Sequence, residues 1–582
     1  MLSNDEIRLL DLLPSLHSDD DALIQCRTRT IPLPSDIPFE TLSYVWGDQS
    51  DCTEISVDGN IVPVTSNLAS ALRHIRRSAS IRTMWVDQLC INQSDELEKA
   101  NQVPLMGHIY SRTTQCVIWF GPRRPGISLS DAKAAIGLLD ILSEGKHNDA
   151  VHLSLINLDL GADGALPSAI RAIDSIRLPN NPWWTRTWTL QESILPPKAC
   201  IVWGELSIEW ETLSSAASNW AGANCHPILY PYINILNGLL SQVNGLRFTK
   251  ENRMGPLDIA FRWAFRNTTK LQDKVYGLMG LFQPGALPRS QMCDYRLSPP
   301  QIYAMFTVDL IEYGRTLHAL ALRYMHKHPT STEGLPNWAM DMDGGIRWEI
   351  SIDGDSCPWY VMNTYNWYNA CGSTTLDLNR VKYDQTSNTL SLAGFKVDDI
   401  EVAVAKPSED EPGTSNITRA GVARLVKEWY QVAEDFYKSH TWPARKDGPR
   451  TWQDAFWTAL VGNLRVSEEY GPEGQATYED IEMAKKFVET GVRQYICYSM
   501  FANIARKKLV ITTTGLLGFG PHHSEVGDQV WIFHGGKMPF VLRPTTAGLV
   551  NDFLYIGPSY VDGIIYGEAV SLDKPVCDVV LR

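Results

Sequence analysis

Four short apolar runs, each closed by polar or glycine residues, limit what the N-terminal third of this chain can become. They are FETLSYVWGD (39–48), IRTMWVDQLCI (81–91), QCVIWFG (115–121) and KACIVWGE (198–205). Each is too short for a helix of ordinary length and rich in β-branched and aromatic residues, so each reads as a strand. Helical patterns lie between them. NLASALRHIRR (67–77) puts Leu68, Leu72 and Ile75 on one face, with Asn67 as its expected N-cap. After the second run, Leu97, Val103, Met106, Ile109 and Tyr110 suit a sheet-packing helix that Pro104 kinks or restarts. Strands alternating with helices predict a parallel sheet with helices on its faces.

Other segments fill in around this frame. Residues 1–38 read as a lead-in with one short strand, ALIQCRTRTIPL, and TEISVDGNIVPVT reads as a hairpin turning at Asp58-Gly59. A mostly helical insertion is expected over 123–180, and Pro182 is expected to start one helix that runs to Leu195. Beyond 205 the expected order is a helical extension to 285, a mixed α/β region to 405 and a linker or loop at KPSEDEPGTSN (406–416). A helical region over 417–505 and a β-rich module over 506–582 complete it.

The 582 residues are too many for one core and imply several domains. A net charge of -14 argues against a nucleic-acid binder, which needs clustered Lys and Arg. The 11 cysteines show no regular spacing, which with a start lacking a basic n-region points to free thiols in the reducing cytoplasm. No apolar stretch approaches the roughly 20 residues of a membrane span. Asn92-Gln93-Ser94, Asn267-Thr268-Thr269 and Asn416-Ile417-Thr418 fit the glycosylation triplet but read as chance matches in such a chain. Neither GxGxxG after the first strand nor GxxxxGK[ST] is present, so tight Rossmann or P-loop nucleotide binding is not expected. His522 and His523 are adjacent, which is poor spacing for a metal site, and no metal is expected.

The blocks LSYVWGD, MWVDQLCINQSDELEKANQVPLMGHIYSRTTQCVIWFGP and PWWTRTWTLQESILPPKACIVWGE resemble, in order, three blocks of the fungal heterokaryon incompatibility (HET) domain over 39–205. LQDKVYGLMGL (271–281) resembles the segment that often follows that domain, and the stretch from GLLGFGPHHSEVGDQVWIFHG onward resembles the C-terminal module of long HET proteins. The resemblance implies a role in non-self recognition and cell death. It also implies a distant likeness to the TIR domain, a flavodoxin-like α/β fold of which some members hydrolyse NAD and others only assemble.

Through that likeness Trp188 and Glu192 match the spacing of a tryptophan and a catalytic glutamate one helical turn apart, which would place both on one pocket wall. Glu192 and Asp87 are the expected catalytic carboxylates, suited to an oxocarbenium-like state. Trp46 or Trp188 would stack a ring, and Arg186 or the Gly47 backbone would meet a diphosphate. Tyr44, Asn92, Gln93 and Gln191 complete the expected substrate wall. NAD is expected as substrate, with no tightly bound cofactor. The expected partners are a homo-oligomer, a signalling protein, or a nucleotide or other small molecule. Two alternatives stand beside NAD cleavage: a non-catalytic assembly module, and a fold reused as a biosynthetic enzyme of secondary metabolism.

Overall fold

The four apolar runs become neighbours in one sheet. In the computed structural model they form β3 (Glu40–Ser43), β6 (Arg82–Trp85), β7 (Cys116–Trp119) and β8 (Ala199–Trp203). The pairs β3–β6, β3–β7 and β7–β8 are all parallel. Counted along the chain, these four strands lie side by side in the order second, first, third, fourth. The sheet is mixed rather than purely parallel, because antiparallel strands extend it on both sides. Its full order is β5-β4-β2-β1-β6-β3-β7-β8-β9, with β1 at Glu6–Leu12, β2 at Gln25–Pro32, β4 at Cys52–Val57, β5 at Asn60–Thr65 and β9 at Leu206–Glu209. The supposed lead-in therefore holds two strands, β1 and β2, and β1 pairs directly with β6.

Description covers residues 2, 5–14, 23–145, 165–221, 227–252, 254–323, 332–343, 351–352, 355–356, 364–404, 419–443, 451–467, 471–492, 496–504, 507–545, 551–571 and 574–582. The expected linker at 406–416, the triplet at 416–418 and part of the expected insertion lie outside them. The chain divides into two units, Met1–Arg296 and Leu297–Arg582.

Local chemistry explains several elements of the first unit. Asp58 and Gly59 both take positive φ, which makes the tight turn between β4 and β5. The helix α1 (Ser66–Ile75) is capped by Thr65, whose side chain accepts from the Leu68 N–H, not by Asn67. Asn67 instead donates to the Val45 carbonyl at 2.5 Å and accepts from Trp119 Nε1 at 3.0 Å. The run 81–91 does not stay extended. It leaves the sheet after Trp85, and Asp87–Cys90 forms a one-turn helix, α2. Cys90 is fully buried there, its Sγ accepting from the Val86 N–H at 3.3 Å, and burial pushes its thiol up to about 12. Pro104 sits in a 3-10 turn, Val103–Leu105, between α3 (Glu96–Gln102) and α4 (Met106–Arg112). Further on, Ser128 and Asp131 form a capping box for Leu129–Ser143, which packs on Ala165–Ile176.

In the second unit the long strand Thr389–Ala403 pairs with Gln529–Phe533 and with Cys577–Leu581. Phe540–Pro544 and Asp552–Pro558 connect those two partners, so the five strands close a ring. Thr389–Ala403 also pairs with Lys507–Thr512, and Leu517–Pro521 continues that side. Helices including Arg419–Ser439, Trp452–Leu460 and Tyr478–Thr490 supply a separate core around Trp429, Phe456 and Phe487. Among the described residues no helix is long and apolar enough to cross a membrane.

Candidate functional site

A cavity of about 680 Å³ opens beyond the carboxyl ends of β3 and β6. In open α/β sheets this edge is where ligands bind. The loop after β3 supplies Val45, Trp46 and Gly47. Gly47 has φ 78°, a left-handed conformation that suits glycine, and Asn67 holds the preceding turn through the Val45 carbonyl.

Asp87, the first residue of α2, forms the adjoining wall. Its Oδ2 accepts from Trp46 Nε1 at 2.8 Å, and its Oδ1 from the Gln88 N–H at 2.8 Å. Gln93, also on the wall, donates through Nε2 to the Asp87 carbonyl at 3.0 Å. The Asp87 carboxyl is pushed up, first by burial, against the lowering pull of Arg186 and its hydrogen bonds.

The third wall is the segment before the site helix Thr189–Ile194. The single helix expected from Pro182 to Leu195 is broken. Pro182–Thr185 is a 3-10 turn capped by Asn181, and Arg186 bridges to Asn267 like a short parallel strand. This break aims Arg186 and Trp188 into the cavity. Trp188 and Glu192 still share one helical turn, the Glu192 N–H donating to the Trp188 carbonyl at 3.3 Å, but their side chains part. Trp188 lines the cavity, whereas Glu192 is only 3 % exposed and is not on the wall. Glu192 Oε2 accepts from Ser43 Oγ at the end of β3, and Ser43 Oγ accepts from Trp183 Nε1 at 2.8 Å. Burial raises the Glu192 carboxyl to about 7. Arg186, the Ser43 hydroxyl and Arg266 oppose that rise, and Asp87 reinforces it. Gln191 also turns away from the cavity, its Nε2 donating to the Gly277 carbonyl at 2.9 Å.

Two other expected site residues stand back. Tyr44 is buried, its hydroxyl donating to Gln88 Oε1 at 3.1 Å. Asn92 accepts from the Ser94 hydroxyl at 2.7 Å and does not line the cavity. The structure thus brings Trp46, Gly47, Asp87, Gln93, Arg186 and Trp188 together, and places Tyr44, Asn92, Gln191 and Glu192 behind or beside them.

The fourth wall was not anticipated. Asn267, Thr268, Thr269, Lys270, Asp273 and Tyr295 close the cavity, with Lys99 and Met106 from α3 and α4. Asp273 Oδ1 accepts from the Tyr295 hydroxyl at 2.6 Å, and burial pushes its carboxyl up. The helix Asp273–Met279 can lie this close because Gly277 and Gly280 have no side chains. A Cβ on Gly277 would sit 2.8 Å from Thr187 Cγ2, and one on Gly280 2.1 Å from Gln191 Oε1. Arg266, fully buried, donates to Thr189 Oγ1 at 2.6 Å and the Arg186 carbonyl at 3.2 Å, bracing the start of the site helix. The available signals were the triplet Asn267-Thr268-Thr269, set aside as chance, and LQDKVYGLMGL, noted only as a likeness. Among the described residues no group of three His, Cys, Asp or Glu could hold a metal ion.

A family model described as heterokaryon incompatibility protein (HET) matches residues 39–192. Another, described as the Het-6 β-barrel domain, matches 469–575. The closing strand Cys577–Leu581 and the long strand Thr389–Ala403 lie outside that second match. Heterokaryon incompatibility protein 6, OR allele, of Neurospora crassa is 26% identical, over 97% of this chain and 94% of that protein. No solved structure matches the chain. The two matches, in the order the sequence blocks suggested, make the chain similar to HET-domain proteins of the long form that ends in a Het-6 β-barrel.

Proposed function

We propose that this protein acts in fungal non-self recognition and programmed cell death, and that its N-terminal unit cleaves NAD or a related nucleotide. The name of its Neurospora relative supports the first part. The observation that carries the second is the cavity in which Asp87 is held by Trp46 and which Trp188 and Arg186 also line. The strand order second, first, third, fourth is that of flavodoxin-like sheets and supports the TIR-like reading.

In this reading the indoles of Trp46 and Trp188 frame a flat ring, and Asp87 faces the ribose. The bond from C1′ to the nicotinamide nitrogen breaks, and its electron pair neutralises the ring. Asp87 stabilises the oxocarbenium-like sugar, water adds at C1′, and the water's proton passes to Asp87. Glu192 is a positioning residue, acting through Ser43 and the charge of Arg186. NAD is substrate here, not a resident cofactor, and the cytoplasm is the expected compartment.

The test is nicotinamide release from NAD by the purified full chain. Asp87→Asn should lower the rate by about a hundredfold, with unchanged circular dichroism. An unchanged rate would sink the role of Asp87. The burial of Glu192 favours a second reading, a non-catalytic module that binds a nucleotide and assembles with a partner. It predicts nucleotide binding without any nicotinamide release.

A further inference from the structure

The charges on the cavity wall do not balance. Lys99, Arg186 and Lys270 face two carboxylates, Asp87 and Asp273, in a chain whose net charge is -14. The cations are also under-paired. Arg186 spends one N–H on the Tyr44 carbonyl and makes no ion pair with a carboxylate among the described residues. Lys99 and Lys270 share one partner, Glu96, at 3.0 Å and 3.8 Å. Lys270 also lies over the Tyr295 ring, its Nζ 5.2 Å from the centroid.

Arg186 feels the Asp87, Glu192 and Asp273 carboxyls but makes no ion-pair contact with them, so its remaining N–H groups are open to an anion in the cavity. Its planar fork fits phosphate oxygens, and lysines serve the same anion as point charges. The cavity volume of about 680 Å³ falls in the range of small-molecule sites, and indoles border it. We propose that Arg186, Lys270 and Lys99 form a phosphate subsite that selects a nucleoside diphosphate or dinucleotide. This rests on the reading of the cavity as a nucleotide site and adds what that reading lacks. Lys270 lies beyond the HET match at 39–192, so the segment after the domain sets ligand choice.

The experiment is calorimetric titration of the full chain with ADP-ribose, nicotinamide riboside and inorganic pyrophosphate, at two salt concentrations. Lys270 is 47% exposed, so Lys270→Ala keeps the fold. ADP-ribose should bind about tenfold more weakly to Lys270→Ala, and Lys270→Arg should restore most of the affinity. Nicotinamide riboside, without the diphosphate, should bind wild type more weakly and with little salt dependence. Pyrophosphate that binds as tightly as ADP-ribose would overturn the nucleotide assignment. Equal ADP-ribose affinity in wild type and a Lys99→Ala/Lys270→Ala variant would overturn the subsite, even if NAD is still cleaved. Lysine-dependent ADP-ribose binding without NAD cleavage would uphold the subsite and remove only the hydrolase reading.

Discussion

Glu192→Gln should make the first unit more stable at alkaline pH and leave it nearly unchanged at acid pH. The carboxyl sits 3 % exposed behind the sheet, and burial raises it from 4.5 to about 7. The folded state therefore holds this proton more tightly than the unfolded chain does. The resulting stability is fully present below pH 4.5 and is lost as pH rises through 7. A shift of that size corresponds to about 3 kcal/mol. Glutamine keeps an acceptor for Ser43 Oγ and cannot ionise, so it escapes the loss. Urea unfolding of wild type and variant at pH 5 and pH 8, followed by tryptophan fluorescence, gives the stability difference at each pH. Because pH 5 already lies above 4.5, that difference should move by about 2.5 kcal/mol in favour of glutamine on going to pH 8. A difference that does not change with pH would refute the reasoning. A change of opposite sign would mean that Arg186 and the Ser43 hydroxyl outweigh burial.

Two further substitutions test the packing that builds the cavity. Gly280→Ala places a Cβ 2.1 Å from Gln191 Oε1 and 2.8 Å from Gly107 Cα, and should cost about 1–3 kcal/mol by thermal unfolding. Gly137→Ala, within Leu129–Ser143 and with no atom inside 4 Å, should instead stabilise and serves as its control. Arg8→Met strips the 3.1 Å ion pair from Glu98, which is 3 % exposed and among the described residues keeps only the Asn92 N–H. Because Arg8 is itself 23% exposed, a loss of about 2 kcal/mol is expected in urea unfolding, and none would show that water already serves that carboxylate.

The sheet-forming runs were legible because each carries its own stop, a Gly-Asp, an acid or a Gly-Pro. Their lateral order was not, since it depends on partners far along the chain. The segment EIRLLDL was absorbed into a lead-in although it is β1; its partners, β2 and β6, are what make it a strand. The site was half legible for a similar reason. Trp46, Asp87 and Arg186 follow strand ends or turns, and sequence order marks such places. The four-residue spacing of Trp188 and Glu192 does form one helical turn, the Glu192 N–H donating to the Trp188 carbonyl at 3.3 Å, but Glu192 packs inward on Ser43 while Trp188 lines the cavity, an outcome that tertiary packing sets and spacing does not. Lys270, Asp273 and Tyr295 reach the cavity through tertiary packing that no local period encodes.

The two margins of the N-terminal sheet bear on how copies of this protein can meet. At one margin β5 carries Pro63, which has no N–H to offer a further strand, and at the other β9 is only 4 residues long and ends in an exposed glutamate. Such borders discourage lateral growth of the sheet from chain to chain. Contacts between copies of this unit are therefore disfavoured along its sheet edges and left to its helices and loops.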